Sequence, residues 1–555
     1  KALEVSKKCN KNGVVLGYVE DMDLLIASSD LVFGKPGGIL TSEALNFGVP
    51  ICAIEPIPGQ ETNNALFISN NKFGFYISNI DEFIDFLSKL KDGNIKLNNY
   101  NMELMPYVIV RTNDELYNYI IGGLKKGETF KSPTAMIGVA VGSIAELSNR
   151  IIDMRHRAID AYGEDGMGIT YNEFAYSWGK PTEPELLKVA DILKNGKTKY
   201  FVMDAGWFYR PEGGPGGWIL NKESFPNGLK TYTDIIKNLG MIPGIWMEFE
   251  ACRKDTETFK DEYSDMMLSV GGRQIVCPLT GGAKLFDFRK PKVIEYMDEK
   301  VIKFLKDNGF GYLKIDYNIN TGIGVDGEES LGENLRQHME AVRNFVIKIK
   351  KEIPDIMIEN CASGGCRLEP SMMDITGMSS ASDTHDVYEG AIVAANLHYL
   401  TPPRQNQVWC TLRPQYDHNR FTHIISIGFL GRLCWSGDIA GLSKTQLDEL
   451  FAAEKFYERV APIIKHGNSY IYRTDICSFH SPTGTQAVVR YSEDGDEALV
   501  VIHTFEDMKN MKITLKGNYK IADSLYENTA CIKGDVLEIS NMSDFTGNVL
   551  LLSKK

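Results

Sequence analysis

The chain has 555 residues, which at about 150 residues per domain predicts three to four structural units and excludes a single small domain. Its formal net charge of −13 argues against nucleic acid or an anionic membrane surface as a partner. Hydrophobic residues at 43% predict a large core, and no apolar run approaches the roughly 18 residues that would span a bilayer. We expect a cytoplasmic protein with free thiols and no transmembrane segment.

The first 125 residues alternate short apolar runs with stretches of helical spacing, which predicts a doubly wound α/β domain over 1–125. The runs lie at 14–19, 31–33, 50–54 and 75–77, with helices after Gly38 and after Ile80. Residues 126–165 begin with turn formers and charged residues and end in a predicted helix at 144–162. We interpret this segment as a linker and helix.

A second alternation with longer units predicts a (β/α)₈ barrel over 166–465. Its candidate strands are 168–174, 200–207, 242–250, 284–288, 312–318, 356–361, 374–379 and 424–429. Helical spacing lies between most of them, as at 291–308, 331–353 and 389–400. After a helix at 444–464, runs of period two predict an antiparallel β-domain over 466–555.

Polar residues end several of the predicted barrel strands, where side chains point into the active site of such barrels. Carboxylates, a lysine and aromatic rings at one mouth suit carbohydrate chemistry, in which glycosidic cleavage needs two carboxyl groups. Lys314 and Asp316 are two residues apart on one strand, so both face the barrel interior. A buried ion pair there is rarely favourable for stability alone. From the residues alone, catalysis by Asp316 and Asp383 and a structural role remain equal alternatives.

Six segments resemble glycoside hydrolase family 36, the bacterial α-galactosidases of the melibiase clan, from about residue 165 to the C-terminus. The segments are MDAGWF (203–208), FPNGL (225–229), GIWMEFE (244–250), YLKIDYN (312–318), NCASGGCR (360–367) and SDTHD (382–386). The resemblance implies a TIM barrel enzyme that cleaves terminal α-galactosides of oligosaccharides or glycoconjugates with retention, through a covalent glycosyl-enzyme.

The same resemblance implies roles for individual residues. Asp316 would be the nucleophile, and Asp383 the acid and then the base. Asp386 is the rival for the role of Asp383. The implied substrate-binding residues are Asp204, Trp207, Trp246, Arg273, Lys314, Asn318, Cys361, Gly364 and Asp386.

The second motif residue is a departure from the family. Ala205 stands where most members have an aspartate near the C4 and C6 hydroxyls, so the sugar specificity could be relaxed or shifted. N-acetylgalactosamine in place of galactose is therefore an open alternative. The glycine-rich segment 213–218 predicts a mobile loop over the barrel mouth, with Trp218 available to a sugar ring.

The N-terminal segment resembles the nucleotide-sugar-binding, C-terminal half of a GT-B glycosyltransferase of the diacylglycerol or lipid-linked murein kind, which implies a Rossmann-like half-domain. The resemblance rests on GYVEDM (17–22), KPGGILTSE (35–43) and PIPGQETNN (56–64). It implies that Gly37 and Gly38 open a helix toward a diphosphate, that Glu43 holds the ribose, and that Gln60 and Glu61 reach the donor sugar. A UDP-sugar is the implied ligand.

Neither the histidines nor the cysteines have metal-ligand spacing, so we expect no metal and no cofactor. Three hypotheses follow: a metal-independent retaining α-galactosidase, a nucleotide-sugar glycosyltransferase, and a carbohydrate-binding protein without catalysis. A homo-oligomer is among the open alternatives.

Overall fold

A computed structural model describes residues 22–54, 56, 61–70, 72–95, 97, 139–159, 166–210, 212–277, 282–319, 321–322, 324–383, 387–475, 478, 480–526 and 530–555. The chain divides into two units, residues 1–135 and 136–555. The predicted strand at 14–19 lies outside the described residues.

Three parallel strands form the sheet of the first unit, in the order β1 (Val32–Gly34), β2 (Ile51–Ile54) and β3 (Gly74–Ile77). Its helices are Met22–Ala27, Gly38–Asn46, Thr62–Asn70 and Ile80–Lys91. The first three residues of β2 are fully buried, as expected for the middle strand of a parallel sheet. The predicted strands at 31–33, 50–54 and 75–77 are present.

Eight parallel strands close into the barrel of the second unit, which confirms the predicted (β/α)₈ architecture. They are β4 (Ile169–Asn172), β5 (Thr198–Met203), β6 (Ile242–Met247), β7 (Tyr312–Ile315), β8 (Met357–Asn360), β9 (Met378–Ser380), β10 (Asn406–Leu412) and β11 (Arg432–Gly437). Each strand pairs with the next along the chain, and β11 pairs with β4.

Two of the predicted barrel strands are wrong. Residues 284–288 overlap Ala283–Leu285, which pairs antiparallel with Ala251–Cys252 and Val276–Cys277 outside the barrel. Residues 424–429 begin within the helix His418–Ile427, whose residues 421–427 are all buried. A short apolar run does not distinguish a strand from a buried helix. The last two barrel strands are instead β10 and β11, so the predicted strands at 312–318, 356–361 and 374–379 are the fourth, fifth and sixth.

Helices separate the barrel strands along the chain and lead into the C-terminal domain. They are Ile144–Ile159, Phe174–Ser177, Glu183–Leu193, Gly228–Asn238, Pro291–Met297, Phe304–Asn308, Leu331–Glu352, Ala362–Gly365, Pro370–Met373, Val387–Leu397, His418–Ile427 and Lys444–His466. A π-helical segment, Asp298–Lys303, joins the two helices at 291–308. No helix in the described part of the chain is long and apolar enough to cross a membrane.

Two antiparallel sheets form the C-terminal domain, as predicted. The strands are β12 (Asn468–Arg473), β13 (Thr485–Tyr491), β14 (Glu497–Thr504), β15 (Met511–Thr514), β16 (Tyr519–Ser524), β17 (Ala530–Lys533), β18 (Val536–Ile539) and β19 (Gly547–Lys554). The sheet orders are β12-β13-β14-β19-β16 and β15-β18-β17.

The barrel interior changes from apolar to charged toward the carboxyl ends of the strands. Tyr200, Tyr312, Met357 and Met378 pack together in one cluster. Lys314 follows Tyr312 by two residues on β7 and therefore lies one layer higher on the same face. This alternation aims the polar side chains of several strands at one mouth of the barrel.

An ion pair ties together the loops that follow β6, β7 and β8. Arg367 donates from Nη1 and Nη2 to the two carboxylate oxygens of Glu250, at 2.5 and 3.0 Å, and both side chains are buried. The guanidinium carbon lies 3.6 Å from the ring centroid of Tyr317. One buried bidentate pair thus fixes three loops beside the strand ends.

Candidate active site

A cavity of about 640 Å³ opens at the carboxyl ends of the barrel strands. Carboxyl ends of parallel strands are where side chains of different strands meet in this fold. The charged groups on its wall are Asp204, Arg210, Glu248, Arg253, Lys314, Asp316 and Asp383, and the aromatic groups are Phe174, Phe208, Trp246 and Trp409.

A buried ion pair lies at the base of the cavity. Nζ of Lys314 on β7 lies 2.7 Å from Oδ2 of Asp204, which follows β5, and the two side chains are 4% and 3% exposed. The same oxygen accepts a hydrogen bond of 2.7 Å from Asn172. Burial alone lowers the pKa of Lys314, but Asp204 and nearby anionic groups raise it well above its usual value. Lys314 is therefore a fixed positive charge beside Asp316.

Four donors surround the Asp316 carboxylate. Its Oδ2 accepts from Nε1 of Trp246 at 3.0 Å and from Nδ2 of Asn318 at 2.8 Å. Its Oδ1 accepts from the backbone N–H groups of Ser363 at 2.8 Å and Tyr317 at 2.9 Å. Burial raises the pKa of Asp316, yet Lys314 and these hydrogen bonds outweigh burial, and the net pKa is lowered. The carboxylate is held ionised in one orientation.

A left-handed turn after β8 places Asp383 beside Asp316. Ala362, Ser363 and Gly364 have φ of 50°, 55° and 70°, which side-chain-bearing residues rarely adopt. A Cβ on Gly364 would stand 2.9 Å from Cγ of Asp383, so only glycine admits that carboxyl group here. Sγ of Cys361 lies 3.9 Å from Oδ1 of Asp383. The turn therefore contacts one aspartate through Ser363 and the other through Gly364.

Asp383 differs from Asp316 in the direction in which its surroundings shift the pKa. Partial loss of water around the carboxyl group raises its pKa, Lys314 opposes this rise, and the negative charges of Asp316 and Asp204 add to it. One carboxyl with a lowered pKa and a neighbour with a raised pKa can serve as nucleophile and proton donor.

Two further carboxyl groups near the mouth have raised pKa values. Burial, with the charge of Asp316, raises the pKa of Glu248 to about 8 while its Oε1 accepts from the backbone of Asn318 at 2.6 Å. Burial also raises the pKa of Glu173 to about 8, and its Oε1 accepts from the backbone of Asp204 at 3.0 Å. At neutral pH both groups are mostly protonated, so they position Asn318 and Asp204 without adding full negative charges.

Aromatic rings form and support one wall. Trp246 lines the cavity, and Nε1 of Trp207 donates to its carbonyl oxygen at 2.9 Å. Trp207 is fully buried and stacks on Trp218, at 6.0 Å between ring centroids. The prediction that Trp218 is available to a sugar ring is wrong, because Trp218 is 5% exposed and packs against Trp246, with ring centroids 6.4 Å apart. Trp207 likewise supports the wall from behind the cavity.

The remaining sequence-predicted residues divide into three groups. Asn318 and Cys361 line the cavity, and Gly364 contacts Asp383. Arg273 is exposed on the two-stranded hairpin of Ser269–Val270 and Arg273–Gln274, away from the cavity wall. Asp386 lies outside the described residues.

Several cavity residues escaped the sequence analysis. Trp409 is on β10, a strand that was not predicted, and its ring centroid lies 4.8 Å from Nζ of Lys314. Glu248 lies in the motif GIWMEFE, two residues after Trp246. Residues two apart on a strand face the same side, so this spacing predicts that Glu248 also faces the cavity. Nothing local in the sequence marks Arg210 and Arg253, which reach the cavity from loops.

The candidate nucleotide-sugar residues lie in the first unit. Gly37 is the N-cap of the helix Gly38–Asn46, which also carries Glu43. A Cβ on Gly37 would stand 3.3 Å from Oε1 of Glu61. Gln60 lies outside the described residues. Across the described part of the chain, no group of three or more His, Cys, Asp and Glu side chains could hold a metal ion.

The fold and cavity define a (β/α)₈ barrel with paired carboxyl groups at its carboxyl-terminal mouth. The melibiase family model matches residues 129–467, so this chain belongs to the melibiase family. α-Galactosidase Mel36A of Lactobacillus acidophilus is 22% identical over 62% of this chain and 48% of its own length. α-Galactosidase AgaA of Geobacillus stearothermophilus is 22% identical over 62% and 49%. The chain spans about half the length of these curated relatives.

A solved structure shares the fold. The crystal structure of AgaA from Geobacillus stearothermophilus matches with a TM-score of 0.65 and 20% identity, over 75% of this chain and 59% of that one. A crystal structure of an AgaA variant contains raffinose, and another contains stachyose.

Replacing Lys314 with methionine tests the buried pair. Lys314→Met leaves the Asp204 carboxylate buried without its cation, so the barrel should lose about 3–5 kcal/mol of stability at pH 7. The loss should shrink as pH falls, because a buried unpaired carboxyl has a raised pKa and becomes neutral. Calorimetric melting at pH 7 and pH 5 measures both effects.

The double variant Lys314→Met/Asp204→Asn should recover most of the lost melting temperature, since no unpaired charge remains. Lys303→Met removes an exposed cation paired with Glu299 and Asp307 and should leave the melting temperature nearly unchanged, because solvent screens exposed ion pairs. Equal losses in Lys314→Met and Lys303→Met would contradict this account of the pair.

Proposed function

We propose that the protein is a retaining α-galactosidase that hydrolyses terminal α-galactosides. The observation that carries the proposal is the pair of unlike carboxyl groups: Asp316, ionised and held by four donors, and Asp383, with a raised pKa, on either side of the turn 361–364. Family membership and the names of the relatives support galactose as the sugar.

The first step forms a covalent intermediate. An oxygen of Asp316 attacks the anomeric carbon and the glycosidic C–O bond breaks. Asp383 gives its proton to the departing oxygen, so the leaving group departs as a neutral alcohol. Hydrogen bonds from Nε1 of Trp246 and Nδ2 of Asn318 hold the attacking carboxylate in one orientation.

The second step consumes water. The Asp383 carboxylate takes a proton from a water molecule, whose oxygen bonds to the anomeric carbon as the bond to Asp316 breaks. Asp316 leaves as a carboxylate, Asp383 is protonated again, and two substitutions at one carbon retain its configuration.

The other cavity residues bind and orient the sugar in this proposal. Lys314 and Asp204 hold hydroxyls through their remaining donor and acceptor positions, Trp246 covers a C–H face, and Cys361 and Gly364 lie by the C2 hydroxyl. The family resemblance adds Asp386 to this set, whereas Arg273 lies on an exposed hairpin outside the cavity wall and takes no part. The raffinose and stachyose in structures of the AgaA variants make α-galactosyl oligosaccharides the first substrates to test. α-N-acetylgalactosaminides are the alternative.

Substitution of the two aspartates tests the mechanism. Asp316→Ala should reduce kcat/KM on 4-nitrophenyl α-galactoside by roughly 10⁴-fold or more, because no nucleophile remains. Asp383→Ala should lose about 10²–10⁴-fold, and sodium azide should restore its turnover with formation of α-galactosyl azide. The matched control is Asp307→Ala, which removes an exposed carboxylate from the outer helix Phe304–Asn308. Full activity in Asp316→Ala, or β-galactosyl azide as the rescued product, would refute the assignment.

The pH profile tests the protonation states. kcat/KM should rise with pH through the lowered pKa of Asp316, which must be ionised, and fall as pH rises through the raised pKa of Asp383, which must be protonated. The two limbs belong to the interacting pair. In Asp383→Ala with an activated aryl leaving group, the alkaline limb should disappear and the acid limb should remain. An unchanged alkaline limb would assign it to another group.

We also propose that residues 1–125 are a nucleotide-sugar-binding half-domain of the GT-B kind, followed by a linker and helix over 126–165, the barrel over 166–465 and the β-domain over 466–555. Support comes from the parallel sheet of the first unit and from Gly37, which caps a nine-residue helix with Glu61 beside it. In this proposal Gly37 and Gly38 bind the diphosphate, Glu43 the ribose, and Gln60 and Glu61 the sugar.

Binding of UDP to the full chain tests this second proposal. Titration calorimetry should give binding that Glu43→Gln weakens by about ten-fold, since a carboxylate accepting a hydrogen bond is worth about 1.4 kcal/mol more than a neutral partner. Asp85→Asn removes one exposed negative charge from another helix of the unit and should leave the Kd unchanged. No heat of binding at millimolar UDP would reject the assignment.

A further inference from the structure

Two arginines contribute to the wall of the candidate active-site cavity. Arg210 and Arg253 both line the cavity wall. Among the described residues, neither guanidinium has a carboxylate oxygen within 4 Å, whereas Lys314, the third cation of the wall, is paired with Asp204. The cavity therefore contains two positive charges that no described side chain neutralises.

The two arginines belong to one cluster around Phe208. The guanidinium carbon of Arg210 lies 5.5 Å from the ring centroid of Phe208. Gly214 is close to both Arg253 and Phe208: a Cβ atom added to Gly214 would lie 2.9 Å from Cδ of Arg253 and 3.7 Å from Cε2 of Phe208. Arg253 is further held by its backbone N–H, which donates to the carbonyl of Pro215 at 2.9 Å. Both cationic side chains thus lie near the Phe208 ring and approach it from different loops.

The two like charges interact unfavourably in the empty cavity. Burial lowers the pKa of Arg210, and the positive charge of Arg253 lowers it further. Arginine forks match the geometry of carboxylate, sulfate and phosphate oxygens. An anion between the two guanidinium groups would relieve the repulsion, whereas a neutral sugar hydroxyl would not.

Ala205 lies on the same side of the cavity as Arg210. The Nη2 atom of Arg210 and the carbonyl oxygen of Ala205 would lie 3.5 and 3.6 Å from a Cβ on Gly179, so both flank this glycine. Ala205 itself lines the cavity and carries no charge. An aspartate there would add a negative charge beside Arg210 and repel an anion, and alanine removes that charge.

We infer that the natural substrate carries an anionic group, a carboxylate, sulfate ester or phosphate ester, which Arg210 and Arg253 bind together. This inference rests on the proposed hydrolase function and narrows its substrate class. The charge belongs either to the terminal sugar or to the group it is attached to, and both sources present the same oxygens to the arginines.

Hydrolysis of three nitrophenyl glycosides distinguishes the sources. The neutral reference is 4-nitrophenyl α-galactoside, 4-nitrophenyl α-galacturonide carries the charge on the sugar, and 2-carboxy-4-nitrophenyl α-galactoside carries it on the leaving group. At least one charged substrate should have kcat/KM about ten-fold or more above the neutral one, after correction for leaving-group pKa. The preference should fall with added salt, because Arg210 is exposed and Arg253 is half-buried.

Neutralising the arginines provides the matched comparison. Arg210→Gln and Arg253→Gln should each lower the ratio of charged to neutral kcat/KM by about ten-fold, and Arg210→Lys should retain part of it. Lys254→Gln removes the neighbouring exposed cation, which does not line the cavity, and should leave the ratio unchanged. Equal ratios in the native protein and both arginine variants would overturn the inference while hydrolysis of the neutral substrate still supported the proposed function.

A binding measurement separates the two proposals when turnover is absent. In Asp316→Ala, galacturonate should raise the melting temperature more than galactose at equal concentration, and Arg210→Gln should abolish the difference. If no glycoside is cleaved by the native protein but this difference is present, the proposed hydrolase fails and the anion site stands. If galactose and galacturonate stabilise Asp316→Ala equally, and 2-carboxy-4-nitrophenyl α-galactoside stabilises it no more than 4-nitrophenyl α-galactoside, the anion site fails.

Discussion

The buried pair of Lys314 and Asp204 is the interaction on which the rest of the cavity depends. Removing two charges from water is costly, and their attraction compensates only when the geometry is good and the remaining positions are hydrogen-bonded. Here Asn172 supplies a second donor to Asp204. The barrel holds both partners of the pair at the carboxyl ends of its strands, Asp204 directly after β5 and Lys314 on β7. The pair also places a permanent positive charge beside Asp316, and this charge and the hydrogen bonds to the carboxylate together overcome the effect of burial on the pKa of Asp316.

The pKa values of carboxyl groups within one small volume are shifted in different directions by their surroundings. Asp316 has four donors and a neighbouring lysine, whereas Asp383 has a cysteine thiol and two nearby negative charges. Glu248, buried beside them, has a pKa of about 8 and behaves at neutral pH mainly as a neutral positioning group. Unlike environments thus separate the chemical roles of identical side chains, which is a general way in which enzymes obtain acid and base at one pH.

Rigid supports hold these groups in place. The left-handed turn at 362–364 is an unfavourable backbone conformation. It lets the backbone N–H of Ser363 donate to Asp316, and it places Gly364, which has no side chain, against the carboxyl group of Asp383. Behind the cavity, Trp207 and Trp218 stack and fix Trp246, and the Arg367–Glu250 pair joins three loops. Such packing behind the contact residues limits the movement of the reacting groups.

The barrel architecture, the C-terminal sheets and the motif residues around the cavity could be predicted from the sequence. Asp204, Trp246, Lys314 and Asp316 lie in or directly after parallel strands that were recognised from their apolar runs, and parallel strands of one barrel end at the same mouth. Strands β10 and β11 were missed because their buried faces include polar residues and because a buried helix has an equally apolar sequence. The loop residues that line the cavity could be identified only from the folded structure. Trp218 is buried against Trp207, and Arg273 lies on an exposed hairpin. Arg210 and Arg253 both lie near Phe208. Contacts between residues that are distant in sequence leave no local pattern, so these positions could not be predicted.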